Sequence, residues 1–534
     1  MVISSVLWWR FSFLEKTQLI PADGGVLKEV VIGQPQSLNP LLAPLNDADK
    51  DLSELLFSGI LKYNNEGELI EDLAKEYKIL NNGKTYELIL KENLLWSDGE
   101  KISADDIIFT IESLQDPKTQ SPLRLSWQDI VEKVEKIDDL TIKVTLTDPY
   151  SPFIENFTLK ILPKHIFKEI EPQEFSLKPR EKIIGSGPFK IKSVEEDEEQ
   201  IIKKIILDRN PNFYGKSPFL DGIEITFIEN EVDLLEWKDK ATSLAGISAK
   251  NKNILEDEFK IYSLSLPRYF ALFLNQEQKL LARKEIREAL VLATPKKEVV
   301  DKVLLGEGRI IDGPFLSENQ IGGDFKKYKF NLEEAKKKLE EAGWKDKNND
   351  KIREGVIKEG EKAQKLEFTL YTVDQEQLKK AAAIIQDSWQ KIGVKLNIKA
   401  LEPTALLQNN IKKRRYDILF FGQALKMKAD PFPFWHSTQK EYPGLNLSLY
   451  QDNKVDEVLE KSVKEIDEKK RKKLLQSFQK KVTEDMPAIF LYSPNYLYVA
   501  KKEIKGISGK YIIDPSKRFI DIEKWYVFQT RVPK

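Results

Sequence analysis

At 534 residues the chain is longer than one hydrophobic core sustains, since cores stop growing near roughly 250 to 300 residues, so two or three domains are expected. Its 85 basic residues nearly cancel its 86 acidic ones, which leaves no net field over the whole surface to hold nucleic acid. Cysteine is absent and histidine occurs only at His165 and His436, which excludes disulfides, thiolate sites and a lipidated cysteine and disfavours metalloenzymes and triad hydrolases.

The first residues, Met1 to Phe13, carry the apolar run Val6, Leu7, Trp8, Trp9 ahead of Arg10, too short for the roughly 20 apolar residues that span a bilayer. Residues 1–20 read as the interfacial remnant of an export signal or anchor, with a disordered terminus as the plainer alternative. Val26 to Gln34 has strand character and leads into the turn Ser37, Leu38, Asn39, Pro40, followed by a helix from about Asp47 to Gly59. Thr85 to Lys91 alternates as a half-buried strand, and Trp96, Ser97, Asp98, Gly99 form a tight turn. Ser103 caps the next helix, with Asp105 and Asp106 complementing its dipole and Ile107, Ile108, Ile111 and Leu114 forming its apolar face. A second alternating strand spans Thr141 to Leu146.

Gly185, Ser186, Gly187 and Pro188 mark a junction, after which Phe189 to Val194 and Ile201 to Asp208 resume strand patterning around an acidic turn. Farther on, Glu285 to Ala293 is a short amphipathic helix, and Asn331 caps a longer one that stops at Gly343. Leu366 to Tyr371, Gln377 to Ile392 and Val394 to Ala400 read as a strand, helix, strand unit, and Tyr416 to Phe421 begins another, which favours an α/β fold. Lys469 to Lys473 is read as the solvated face of a helix.

Several ordered motifs add to this pattern: Ser37-Leu-Asn-Pro40, Leu56-Phe-Ser-Gly-Ile60, Asn82-Gly-Lys-Thr-Tyr86, Trp96-Ser-Asp-Gly99 with Ser103-Ala-Asp-Asp-Ile107, Gly185-Ser-Gly-Pro-Phe189, Asn210-Pro-Asn-Phe-Tyr214, Arg287-Glu-Ala-Leu290 and Asp430 to Ser437. Together they resemble family 5 of the bacterial extracellular solute-binding proteins, the dipeptide- and oligopeptide-binding receptors of ABC importers. The resemblance implies a periplasmic-binding-protein-like, two-lobed (Venus flytrap) α/β fold with an additional small α+β lobe. Carried onto this chain, it places lobe I at 21–61, 183–276 and 490–534, a small inserted lobe II at 62–182, and lobe III at 277–489, with hinge crossings near Pro188 and Asn275. It further implies an extracytoplasmic, monomeric receptor that uses no cofactor, takes a peptide or similar small solute between its lobes, and engages ABC permease subunits, with an N-terminal tether as an option.

The Trp96 and Ser103 motifs explain themselves through turn and cap chemistry, so the ligand-binding candidates are sought where aromatic and polar residues reach the expected cleft. They are Asn39, Asn46, Tyr269, Gly422, Gln423, Asp430, Trp435, His436 and Asn446. Peptide-binding members place an aspartate shortly before the Asp-Pro pair to meet the peptide's amino terminus, whereas this chain has Lys426, Met427 and Lys428 there. Asp430 is the substitute acid; otherwise the lysines and Met427 favour an acidic, blocked or apolar ligand. Asp346, Asn348, Asp350 and Glu354 alternate like the start of a calcium loop, but Lys351 stands in the glycine position and Ile357 in that of the bidentate glutamate, so a solvated loop is the plainer reading. Catalysis is not expected: pairs such as Glu367 and Asp374 or Asp417 and Asp430 arise freely among so many acids, and no nucleophile is paired with a base. A surface chaperone or adhesin that holds extended chains is the alternative from another class.

Overall fold

The computed structural model describes residues 16–175, 183–317, 321–358 and 360–534. The chain forms two compact units, one of residues up to Asp148 with Phe153–Leu264 and Tyr496–Lys534, the other of Pro149–Pro152 with Ser265–Asn495. Of the N-terminal segment expected to be a remnant or disordered, residues 1–15 lie outside the described residues, while Thr17–Ala22 is a strand paired antiparallel with Phe528–Pro533.

In the first unit, Phe189–Glu196, Ile202–Arg209, Gly222–Ile228, Val26–Ile32 and Ser243–Ala245 follow one another across a sheet. Val26–Ile32 runs parallel to both of its neighbours, and Ser243–Ala245 also pairs antiparallel with the last part of the strand Ala488–Lys501. The two-residue strand period sorts these strands into an apolar and a polar face. Val30, Leu244 and Val499 join a core with Leu234, Leu255 and Phe259, while Glu29, Ser243 and Tyr498 point the other way. On that second face Arg518 closes a buried cluster, accepted by Glu29 at 3.0 Å and by Asp51 at 2.6 Å.

A separate antiparallel sheet in this unit has the order Ala74–Leu80, Thr85–Leu90, Thr141–Leu146, Val131–Lys136. Ala104–Gln115 covers it, and Tyr86, Trp127, Phe153 and Phe157 pack with ring centroids 5.1 to 5.9 Å apart, edge to face except for the tilted Tyr86–Phe153 pair. The local chemistry follows the sequence reading. Ser103 and Asp106 form a reciprocal capping box, Gly99 adopts φ +97°, and the amide of Gly99 closes the turn on the Trp96 carbonyl at 3.0 Å.

Pro188, placed at a hinge by the resemblance, lies inside the first unit, and the chain changes unit at Asp148/Pro149, Pro152/Phe153, Leu264/Ser265 and Asn495/Tyr496. The glycines before it serve close packing rather than freedom. The Gly187 amide donates to the Leu56 carbonyl at 2.8 Å, and a Cβ on Gly185 would stand 1.9 Å from that same oxygen. Gly185→Ala is therefore expected to cost about 1 to 3 kcal/mol of overpacking strain, read as a lowered thermal midpoint. An unchanged midpoint would mean that the segment yields easily.

In the second unit, Lys395–Leu401, Glu367–Val373, Ile418–Ala424, Arg268–Leu274 and the first part of Ala488–Lys501 form the sheet. Glu367–Val373, the helix Glu376–Gln390 and Lys395–Leu401 make the expected βαβ unit, its two strands parallel. Arg268–Leu274 is central: Leu272 and Leu274 enter one core with Ile385, Trp389 and Phe420, while Tyr269, Ala271 and Phe273 enter another with Trp435, Phe478 and Phe490. Asn331 caps Leu332–Glu341 as expected, its side chain accepting from the Glu334 amide at 3.0 Å. The basic run on Glu468–Asp485 is not wholly solvated. Helical spacing turns Arg471 inward, where it is buried and donates to the carbonyls of Ser462 and Ala429.

Candidate functional site

Two neighbouring strands begin the site. Register pairs Tyr269 with Gln423 and Phe270 with Gly422, so the phenol and the amide project on the same face. The Tyr269 hydroxyl donates to Gln423 Oε1 at 2.6 Å, and Gln423 Nε2 donates to the Leu445 carbonyl at 3.1 Å. Burial raises the phenol above its ordinary range, with Trp435 opposing as a hydrogen-bond partner, so Tyr269 remains a neutral donor. Gly422 lies beneath the Phe270 ring, which a Cβ would approach to 3.1 Å.

The chain leaving the second of these strands turns at Ala429, Asp430 and Pro431 into the short helix Phe432–Trp435. Asp430 is half-buried, and its Oδ1 accepts from the Phe432 amide at 3.3 Å while Oδ2 accepts from the Tyr150 hydroxyl. Burial raises its carboxyl above the usual range, against the lowering influence of Tyr150, Lys426 and Arg471. Asp430 lines a hollow of about 220 Å³, open-solvent volume included, with Pro314, Phe315, Leu425, Phe434 and Trp435 among its walls. The cavity itself is only about 10 Å³, room for about one water and far below the roughly 300 to 1,000 Å³ of a small-ligand site.

Trp435, His436 and Asn446 hold this loop from behind. Trp435 packs on Phe490 and Phe478 at 5.9 and 6.4 Å between centroids. His436 stacks on Phe432 at 4.2 Å, its Nδ1 accepting from the Thr438 amide at 3.2 Å. Its Nε2 lies 3.4 Å from the Glu460 carboxylate. Asn446 is fully buried; its amide donates to the carbonyls of Tyr450 and His436 at 2.8 and 3.1 Å and accepts from the Tyr450 amide. Asn446 spends its amide on the backbone, and with the ring packing of Trp435 and His436 it fixes the loop that carries Asp430.

Asn39 and Asn46 belong to the first unit and are likewise engaged locally. Asn39 accepts from the Leu41 amide at 2.9 Å, and Asn46 caps Asp47–Leu56 by accepting from Asp49 at 2.8 Å while donating to its carboxylate at 2.7 Å. Asp49 in turn accepts from the Gln36 and Ser37 amides, and burial lifts its carboxyl to about 6.

The calcium candidates do not converge. Asp350 is paired with Lys365 and accepts from Asn348 at 3.2 Å, Asp346 accepts from the Lys351 amide at 3.0 Å, and Glu354 lies in a short strand. Among the described residues no group of three or more His, Asp or Glu side chains is placed to hold a metal ion. Sequence reasoning missed Tyr150, which stands 280 positions from Asp430 and carries no motif.

Comparison with known proteins agrees with this architecture. The oligopeptide-binding protein AppA of Bacillus subtilis is 29% identical over 522 residues, covering 95% of this chain and 92% of that protein. Its solved structure in complex with a nonapeptide matches with a TM-score of 0.73 at 26% identity, over 95% of this chain and 100% of that one. NikZ of Campylobacter jejuni, solved with Ni(L-His), matches with the same TM-score at 27% identity and the same coverages. The fold is thus the two-lobed α/β periplasmic-binding fold, and the class is that of substrate-binding proteins. The profile "Bacterial extracellular solute-binding proteins, family 5 Middle" matches residues 68–444, and the chain belongs to that family.

Proposed function

We propose that this chain is the extracytoplasmic receptor of an ABC importer, capturing a peptide or similar small solute and delivering it to the permease. The observation that carries the reading is the end-to-end agreement with a receptor solved around a nonapeptide, 95% of this chain against all of that one. Asp430 is the ligand's amine partner, because the stretch that carries an acid in peptide-binding members is Lys426, Met427 and Lys428 here. In the half-buried hollow Asp430 is the acid among the lining residues, and Tyr150 orients it. Tyr269, Gln423 and Gly422 shape the adjoining wall, while Trp435, His436 and Asn446 position the loop. The segment 62–182 is assigned as a small lobe, its described residues falling in the first unit except Pro149–Pro152; its own four-stranded sheet, helix and aromatic cluster support that division.

Two measurements test the function. Mass spectrometry of material released on denaturing the purified protein is expected to give peptides, and a sugar would overturn the peptide reading. A ligand bound by the folded protein alone stabilises it by RT ln(1 + [L]/Kd), about 2.7 kcal/mol at a hundredfold excess over Kd, so the thermal midpoint is expected to rise. A released peptide that leaves the midpoint unmoved at saturation is not the ligand.

A further inference from the structure

The sheet of the second unit ends in an open edge. Lys395–Leu401 pairs parallel with Glu367–Val373 on one side, and among the described residues no strand lies on the other. The Lys395 amide donates to the Leu366 carbonyl and the Leu401 carbonyl accepts from the Asp374 amide, so Lys395, Asn397, Lys399 and Leu401 bond inward. The intervening Leu396, Ile398 and Ala400 therefore turn their amides and carbonyls outward. One of these groups is taken: Gln386 Nε2 donates to the Leu396 carbonyl at 2.6 Å.

A groove of about 290 Å³ lies along the start of this edge, apolar at Ile352, Val394 and Leu396 and polar at Gln386, Gln390 and Lys351. Its far wall is the loop whose alternating acids resemble a calcium site, and that loop is held by its own bonds. Asp350 Oδ1 accepts from the Ile352 amide at 2.9 Å, while Arg353 donates to the carbonyls of Trp344 and Ile392 at 2.8 and 2.9 Å. The strand period puts Val394, Leu396 and Ile398 on the groove side and Lys395, Asn397 and Lys399 on the opposite face. Residues 390–401 include Lys391, Lys395 and Lys399 and no acid. Of the acids nearby, Asp350 is paired with Lys365, and Glu367 with Lys395 at 2.8 Å. The exposed Lys391 and Lys399 thus leave the edge positive.

We infer that this edge docks an extended acidic segment of a partner polypeptide, which adds to the sheet as one more strand. Its main chain bonds to the outward groups of Leu396, Ile398 and Ala400; its acidic side chains meet the face of Lys395 and Lys399, and the alternating apolar ones turn toward the groove. Lysines on an edge guard it against its own kind, and a second copy fits poorly because antiparallel pairing would set lysine against lysine. An acidic strand meets no such barrier. The inference is independent of which solute the receptor takes.

The test uses calorimetry on the full chain with the peptide Ac-Thr-Glu-Val-Glu-Val-Glu-NH2, acetylated so that it offers no ammonium to Asp430, and with its counterpart carrying lysine in place of glutamate. The acidic peptide alone is expected to bind, more weakly as salt is raised. Hydrogen exchange at the amides of Leu396, Ile398 and Ala400 is expected to slow in the complex. The variant A400P removes one outward amide and no inward one, and should weaken binding about fivefold. K395Q/K399Q should also lose about fivefold, with an unchanged thermal midpoint. The inference is overturned if the acidic peptide does not bind or binds no better than the lysine one, if it binds without slowing those amides, or if K395Q/K399Q binds as the parent does. Slowing of the same amides that grows with protein concentration in the absence of peptide would overturn it in favour of a second copy.

Discussion

Arg518→Met is expected to destabilise the first unit by about 3 to 5 kcal/mol near pH 7.5, the loss that follows when one partner leaves a buried ion cluster. Arg518 is 2% exposed; its two terminal nitrogens each donate to Asp51 at 2.6 Å, and its Nε and Nη2 reach Glu29 at 3.1 and 3.0 Å. Glu29 also accepts from Ser243 and, at 2.9 Å, from Tyr498. Without the guanidinium two carboxylates remain buried side by side, with the Ser243 and Tyr498 hydroxyls donating to Glu29. Arg518→Lys is expected to recover little, because one ammonium cannot reproduce a bidentate fork on one acid while holding a second.

The pH dependence of this cluster has a definite sign. Burial lifts the folded Asp51 carboxyl to about 6 although Arg518 opposes it, so the native state holds this proton more tightly than the unfolded chain does. Asp51 therefore contributes stability that is fully present below its unfolded value of about 4 and is lost as pH rises through about 6. Removing Arg518 extends that window upward, so the deficit of the Met variant is expected to shrink near pH 5. Denaturant titrations at the two pH values check this. A variant within about 1 kcal/mol of the parent at both would show that the cluster adds nothing to stability.

Asp430→Asn is expected to weaken a free peptide by roughly 2 to 5 kcal/mol, about thirtyfold or more, because it deletes the charge partner of the ligand's ammonium. N-acetylation of the peptide should cost the parent a similar amount. The two losses should not add, since both delete one interaction, and calorimetry on the four combinations measures the coupling. Burial holds the Asp430 carboxyl above the ordinary range, so affinity should be constant at high pH and begin to fall, as pH is lowered, sooner than for an exposed aspartate. Asp430→Asn should flatten that profile. If neither acetylation nor the substitution changes affinity, the amine-anchored reading falls, and a ligand without a free amine takes its place.

Much of the first level of structure was legible without coordinates. The capping box at Ser103, the cap at Asn331, the positive-φ turn at Gly99 and the strand, helix, strand unit over 366–400 each rest on interactions between residues a few positions apart. Hydrogen-bond geometry and side-chain period determine such features locally, and the ordered motifs that mark the family are largely made of them.

Only tertiary structure decided what the polar side chains do. Asn446 reads the same in sequence whether it faces a ligand or three carbonyls and amides of its own loop, and here it serves the loop. Arg471 sits within a basic run, yet packing turns it inward while its neighbours stay in water. Tyr150 meets Asp430 across 280 positions, and Glu29, Asp51 and Arg518 converge from three distant segments. Sequence by itself determined the elements, their caps and the family; the tertiary structure decided which charges are buried together and which donors are already spent. The physical reason is that desolvation and long-range pairing depend on surroundings that form only when remote segments close on one another, and no local pattern encodes that distance.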